Sequence, residues 1–173
     1  MVLGMSLSTY TLIHVIISLA GIGSGFIVMF GLLNSKRLDG WTAIFLTTTI
    51  LTSVTGFFFP FEGLKPSYIL AGISLIVLAI AIWARYGRRL EGGARRIYIL
   101  TAAVALYLNC FVGVIQAFAK IPALHALAPT QKEPPFLVAQ LVVLALFVWL
   151  TILATRRFHL ESPMLRRTAD AGR

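Results

Sequence analysis

YTLIHVIISLAGIGSGFIVMFGLL, residues 10–33, runs for 24 residues without a charged side chain. As a helix rising 1.5 Å per residue it would reach roughly 36 Å, more than the roughly 30 Å of hydrocarbon in a bilayer. Its GIGSG segment superficially suggests a nucleotide loop. A dinucleotide fingerprint needs a preceding strand, a helix opening at the glycines, and G-x-G-x-x-G spacing. Gly21, Gly23 and Gly25 have neither that spacing nor that setting. Gly21 and Gly25 form instead a G-x-x-x-G pair, which lets helix backbones approach closely in lipid. Ser18 and His14 lie three and four positions further back on the same face. His14 is therefore expected on the packing face, since a polar ring turned toward acyl chains is costly.

The rest of the chain repeats this pattern. Of its 173 residues 58% are hydrophobic and only 12% charged, about half the charge of a typical soluble domain. Apolar runs at 41–61, 67–86, 97–119 and 136–155 join the one at 10–33. Lengths near twenty are helical, because the bilayer demands a backbone hydrogen-bonded within itself. The expected fold is all-α: a polytopic bundle of five transmembrane helices (domain 1–155) followed by a basic tail, 156–173. The five runs hold a single charge, Arg85 in the last turn of the third, placed to snorkel outward. Ring residues sit near run ends (Tyr10, Trp41, Tyr68, Trp83, Tyr86, Tyr98), as interfacial anchors do.

Lysine and arginine set the expected direction. Twelve fall in or beside the first loop, the third loop and the tail, and three (Lys65, Lys120, Lys132) in the second and fourth loops. The positive-inside rule then puts the N-terminus outside and the C-terminus in the cytoplasm of a plasma (bacterial inner) membrane. The net charge of +9 reads as topogenic and not as a nucleic-acid footprint. Attraction of the basic tail to anionic lipid, about 1 kcal/mol per basic residue, is a by-product. MVLGMSLST, the first nine residues, lacks the basic n-region of a cleaved signal. The single cysteine, Cys110, rules out an internal disulfide.

Polar residues recur within the runs at helical steps. The fourth carries Tyr98, Thr101, Ala105, Asn109, Gly113 and Gln116, the second Thr42, Thr49, Thr52 and Gly56, and the fifth Gln140, Phe147 and Thr151. Hydroxyls bonding back to their own helix account for most threonines, and Ser18, Gly21, Gly25 and Gly113 are read as packing positions. With the direction above, His14, Gln116 and Gln140 each lie roughly 6 Å inside the outer interface, and Thr55 falls in the same half. The 16-residue fourth loop, KIPALHALAPTQKEPP, covers that side. It is long for a helix connection. PALHAL within it reads as a short helix ended by Pro129, while Pro134 and Pro135 suit the first turn of the last span.

Two functions follow as expectations. The first is a non-catalytic membrane subunit that binds another membrane protein or a second copy, its polar groups holding the bundle together. The second is a pocket in the outer-leaflet half for a small amphipathic ligand such as a quinone, lipid or haem b. Its candidate residues are His14, Thr55, Phe58, Asn109, Gln116, His125 and Gln140. Phe57, Phe58 and Phe59 would then be apolar walls, and His125 would fold down as a second axial ligand for haem. A transporter or channel component, acting as an oligomer, is a further alternative, although no span holds an Asp, Glu or Lys for a proton relay. The chain has no H-E-x-x-H, G-x-S-x-G or P-loop motif, so catalysis has little support. Metal ligation is not expected.

Overall fold

Ser6 accepts the amide of Thr9 at 3.1 Å and so opens the first helix, α1, Leu7–Leu33. This serine cap satisfies one of the orphan donors of the first turn. The computed structural model describes residues 4–59 and 66–158. Within them α1 is followed by α2 (Asp39–Gly56), α3 (Pro66–Ile82), a π-helical turn (Trp83–Gly87), α4 (Ala94–Lys120), α5 (Pro122–Leu127) and α6 (Pro134–Arg157). No strand occurs among the described residues. The end of the second predicted span, Glu62, Lys65, His159 and the remainder of the tail lie outside them.

Four helices are long and apolar enough to cross a membrane: α1, α3 with its π turn, α4 and α6, with mean hydropathy of 2.0 to 2.7. The fifth long helix, α2, is not among them. Its 18 residues include six threonines and cover about 27 Å at 1.5 Å per residue, slightly less than the bilayer core. It ends at Gly56, earlier than the apolar run does, and Phe57–Phe59 form a turn and bend. The short helix read in PALHAL is α5, and both prolines occupy the first turn of α6.

Contacts between helices give their relative directions. Tyr10 at the start of α1 bonds to Thr55 near the end of α2, while Gly25 of α1 meets Phe45 of α2. These two helices are antiparallel. The same holds for α2 and α3, through Ser53–Ser74 and Arg85–Asp39, and for α4 and α6, through Gln140–Phe111 and Phe118–Phe136. Ser35, just after α1, donates to the Arg157 carbonyl at 2.8 Å and ties in the end of α6. One end of the bundle therefore collects Lys36, Arg37, Arg85, Arg88, Arg89, Arg95, Arg96, Arg156 and Arg157. Lys120 and Lys132 lie at the other.

The tightest core occupies the basic half. Leu32, Phe45, Leu78, Ile99 and Leu106 are at most 1% exposed there. Two α1 glycines make this closeness possible. Gly25 faces Leu106 and Phe45 so closely that a methyl group would sit 2.5 Å from Leu106 Cδ1. At Gly21 a Cβ would lie 3.3–3.4 Å from Thr48, Thr49 and Asn109. Gly113 has Ile22 at an ordinary 3.7 Å, whereas Gly23 faces open space. Outward faces of α1, α3 and α6 carry exposed Leu, Ile and Val side chains, the surface that lipid would cover.

Candidate functional site

At the end of the bundle away from the arginines, α1 and α2 are joined by a small polar knot. The Tyr10 hydroxyl donates to the Thr55 carbonyl at 2.6 Å. His14 Nδ1 lies 2.8 Å from Thr55 Oγ1. That hydroxyl already gives its one hydrogen to the Leu51 carbonyl at 2.6 Å, so it accepts from the ring. The tautomer assigned in this way has Nδ1–H, and Nε2 keeps the lone pair. Phe59 closes the knot, with its ring centroid 5.1 Å from both Tyr10 and His14 and edge-to-face with each. Ser18, next on this face, bonds back to the His14 carbonyl at 2.7 Å.

The other candidate residues sit elsewhere. Asn109 is deeper, donating to Thr49 Oγ1 at 3.2 Å beside Gly21. Gln140 of α6 donates to the Phe111 carbonyl of α4 at 3.2 Å, and its buried Oε1 has no partner. Gln116 is exposed on α4, and His125 is exposed on α5. Phe58 is half exposed, while its neighbour Phe57 stacks on Tyr68 and Phe59 meets His14 edge-to-face. His14 and Thr55 are thus in direct contact, and Asn109 and Gln140 each bond to a different helix pair. Two open hollows on the surface, along Leu7–Val15 of α1 and Thr151–Arg156 of α6, are lined by none of the seven.

The fourth loop is fastened rather than loose. Gln131 Nε2 donates to the Ile115 carbonyl at 2.9 Å. Glu133 accepts from Thr130 Oγ1 (2.8 Å), Thr130 N (3.2 Å) and Lys132 N (3.0 Å). Desolvation pushes its carboxyl up, and these hydrogen bonds outweigh it, holding the group below its ordinary value. Ala128 is fully buried against the Phe118–Phe136 pair.

The expectation that Arg85 snorkels outward needs correction. Arg85 is 1% exposed. Its Nη2 donates to the Arg37 carbonyl (3.1 Å) and to the Asp39 carboxylate. The guanidinium carbon lies 5.1 Å from the Tyr98 ring centroid and 5.7 Å from that of Tyr86. The reason is local. The π-helical turn closes with Arg88 N to Trp83 O at 2.9 Å, and Arg85 within it is buried against the start of α2 and the face of Tyr98. A sequence signal existed, namely the only charge in any span, with an acid at the head of the preceding helix. Partner geometry could not be read from it.

Among the described residues no group of three His, Cys, Asp or Glu side chains could hold a metal ion. No protein family, characterised protein or solved structure matches the chain.

Proposed function

We propose that this chain is a non-catalytic membrane subunit. It crosses a bacterial inner (plasma) membrane five times, with α2 as the second span, its N-terminus outside and its C-terminus in the cytoplasm. Its role is to bind another membrane protein. One observation carries this reading: buried and half-buried polar groups of the candidate set are directed at neighbouring helices, as in His14–Thr55, Asn109–Thr49 and Gln140–Phe111. Polar contacts of this kind hold transmembrane helices together. The antiparallel order of the five long helices and the collection of basic residues at one end support five crossings in the direction that the positive-inside rule gives. The exposed apolar face of α6, including Leu141 and Trp149 (63% and 57% exposed), is open to a neighbour in the bilayer.

Photo-crosslinking from positions 141 and 149 in native membranes tests the proposal. A discrete heterologous adduct at one of them is expected. Adducts to lipid alone contradict partner binding.

A second reading, a binder of quinone, lipid or haem at the outer-leaflet end, is favoured by two atoms with capacity to spare. Gln140 Oε1 is buried without a donor, and His14 Nε2 keeps its lone pair. Organic extraction of the purified protein with mass spectrometry, and a visible spectrum, test it. A stoichiometric ligand lost in both His14→Ala and Gln140→Ala supports this reading over the first.

A further inference from the structure

Arg85 is the only charged side chain enclosed by the bundle among the described residues, and it is only partly satisfied. A guanidinium has five N–H donors. The two hydrogens on Nη2 reach the Arg37 carbonyl and the Asp39 carboxylate. The three on Nε and Nη1 are buried without a partner. Tyr98, fully buried, lies with its ring beneath the guanidinium. The buried Nε of Arg95, one helical turn before Tyr98 on α4, is without a partner as well. These unmet nitrogens on Arg85 and Arg95 can only donate.

The charges are as unbalanced as the hydrogen bonds. Asp39 serves two guanidiniums, Arg85 and, at 3.5 Å, Arg37. Arg85 and Arg37 thus set two positive charges against one negative, and Arg95 adds a further positive charge at the same end of the bundle. Water can accept hydrogen bonds but cannot cancel that surplus. An oxyanion does both, and several oxygens around one centre suit planar guanidinium donors best. Access follows from exposure: the Asp39 side chain is 70% exposed and that of Arg37 45%, so the partners of the enclosed Arg85 are open to the surroundings. The group also lies at the end of the apolar helices, at the depth of phospholipid headgroups.

From this geometry we infer that Arg85, Arg37 and Arg95 form a binding site for a phosphate-class oxyanion, supplied by the headgroup of an anionic phospholipid. Asp39 is the resident carboxylate that the incoming phosphate displaces. The site does not depend on which side of the membrane the basic end faces, nor on the subunit reading, so it stands or fails separately from both.

Native mass spectrometry of the full chain in detergent, titrated with phosphatidylglycerol or phosphatidylcholine at constant salt, tests the inference. Wild type retains one phosphatidylglycerol per chain in preference to phosphatidylcholine. Arg85→Lys keeps the charge but loses the Nε and Nη1 donors, and retention weakens about tenfold, the equivalent of one charged hydrogen bond. Arg95→Gln weakens retention severalfold, whereas Arg156→Gln, an exposed arginine at the same end, changes it less than twofold. Asp39→Asn strengthens retention, because the competing carboxylate is gone. If Arg85→Lys fails to fold, Arg95→Gln and Asp39→Asn decide. Inorganic phosphate as competitor identifies the source. Displacement of the lipid means that the site reads a bare phosphate, and failure to displace it means that the phosphate must arrive on a lipid. Equal retention of the two lipids, equal losses in Arg95→Gln and Arg156→Gln, or weaker retention in Asp39→Asn overturns the site.

Discussion

Replacing Gly25 by alanine adds one methyl group where the bundle has no room for it. That methyl would fall 2.5 Å from Leu106 Cδ1 and 2.9 Å from two carbons of the Phe45 ring. Both neighbours are 1% exposed, so neither can swing aside without displacing other core atoms. Overpacking of this kind costs about 1–3 kcal/mol. Alanine recovers about 0.5–1 kcal/mol by removing a helical glycine. The net expectation is a loss of about 1–2 kcal/mol, because the steric term is the larger. Gly23, two residues away on the same helix, supplies the control. It has nothing within 4 Å of its added Cβ, so Gly23→Ala gains about 0.5 kcal/mol from helix propensity alone. The two variants can be compared by titrating dodecyl sulfate into mild-detergent micelles and following tryptophan fluorescence. Gly25→Ala should unfold at lower dodecyl sulfate than wild type and Gly23→Ala at equal or higher. If Gly25→Ala matched or exceeded Gly23→Ala, the close approach of α1 to α2 and α4 would be refuted.

Three further outcomes are expected. Asn109→Leu should destabilise the bundle by about 0.6 kcal/mol and at most about 1.7 kcal/mol, the range for interhelical hydrogen bonds in membranes; Thr49→Val in the same titration should do likewise, and the double variant should add little. His14→Ala should cost about 1–2 kcal/mol, since it loses both the Thr55 bond and the Phe59 edge contact, while Thr55→Val should cost less, and equal costs would contradict the aromatic share. Because the Glu133 carboxyl is held below its ordinary value, the order it gives the fourth loop should be complete above the ordinary carboxylate range and be lost as pH falls through the lowered value. Hydrogen exchange at the Thr130 and Lys132 amides, corrected for intrinsic rates, should show that loss in wild type and none in Glu133→Gln, and protection that increased on acidification would contradict the assignment.

Helices, and the places where they must pack closely, were largely readable from the chain. The uncharged run of α1 needs no tertiary information, and the step from Gly21 to Gly25 identifies which of its faces meets α2 and α4. Pro122 and Pro134 mark helix starts through a local steric rule. What could not be read depended on partners distant in sequence. Periodicity placed His14 on a packing face, but only the fold shows that Thr55, 41 residues later, receives its hydrogen. Gln116 fits the α4 polar stripe in sequence and is nonetheless exposed, because a stripe is wider than the strip that neighbours cover. Phe58 and Phe59 are equivalent by composition. The end of α2 at Gly56 breaks the helical phase, and Phe59 is the one that reaches His14. The burial of Arg85 is not legible in the sequence for a related reason. Snorkelling is what an isolated helix end would do, whereas here Asp39 and Tyr98 enclose the side chain.

Whether α2 crosses the bilayer decides between five crossings and four, and cysteine labelling answers it directly. Cys110 is first replaced by alanine. Single cysteines are then placed at Lys36, between α1 and α2, and at Phe58, just beyond α2. Both positions are exposed. A membrane-impermeant maleimide should label Phe58→Cys in intact cells and Lys36→Cys only after the membrane is opened. Labelling of both positions from the same side would show that α2 does not cross, and the five-span orientation would have to be abandoned.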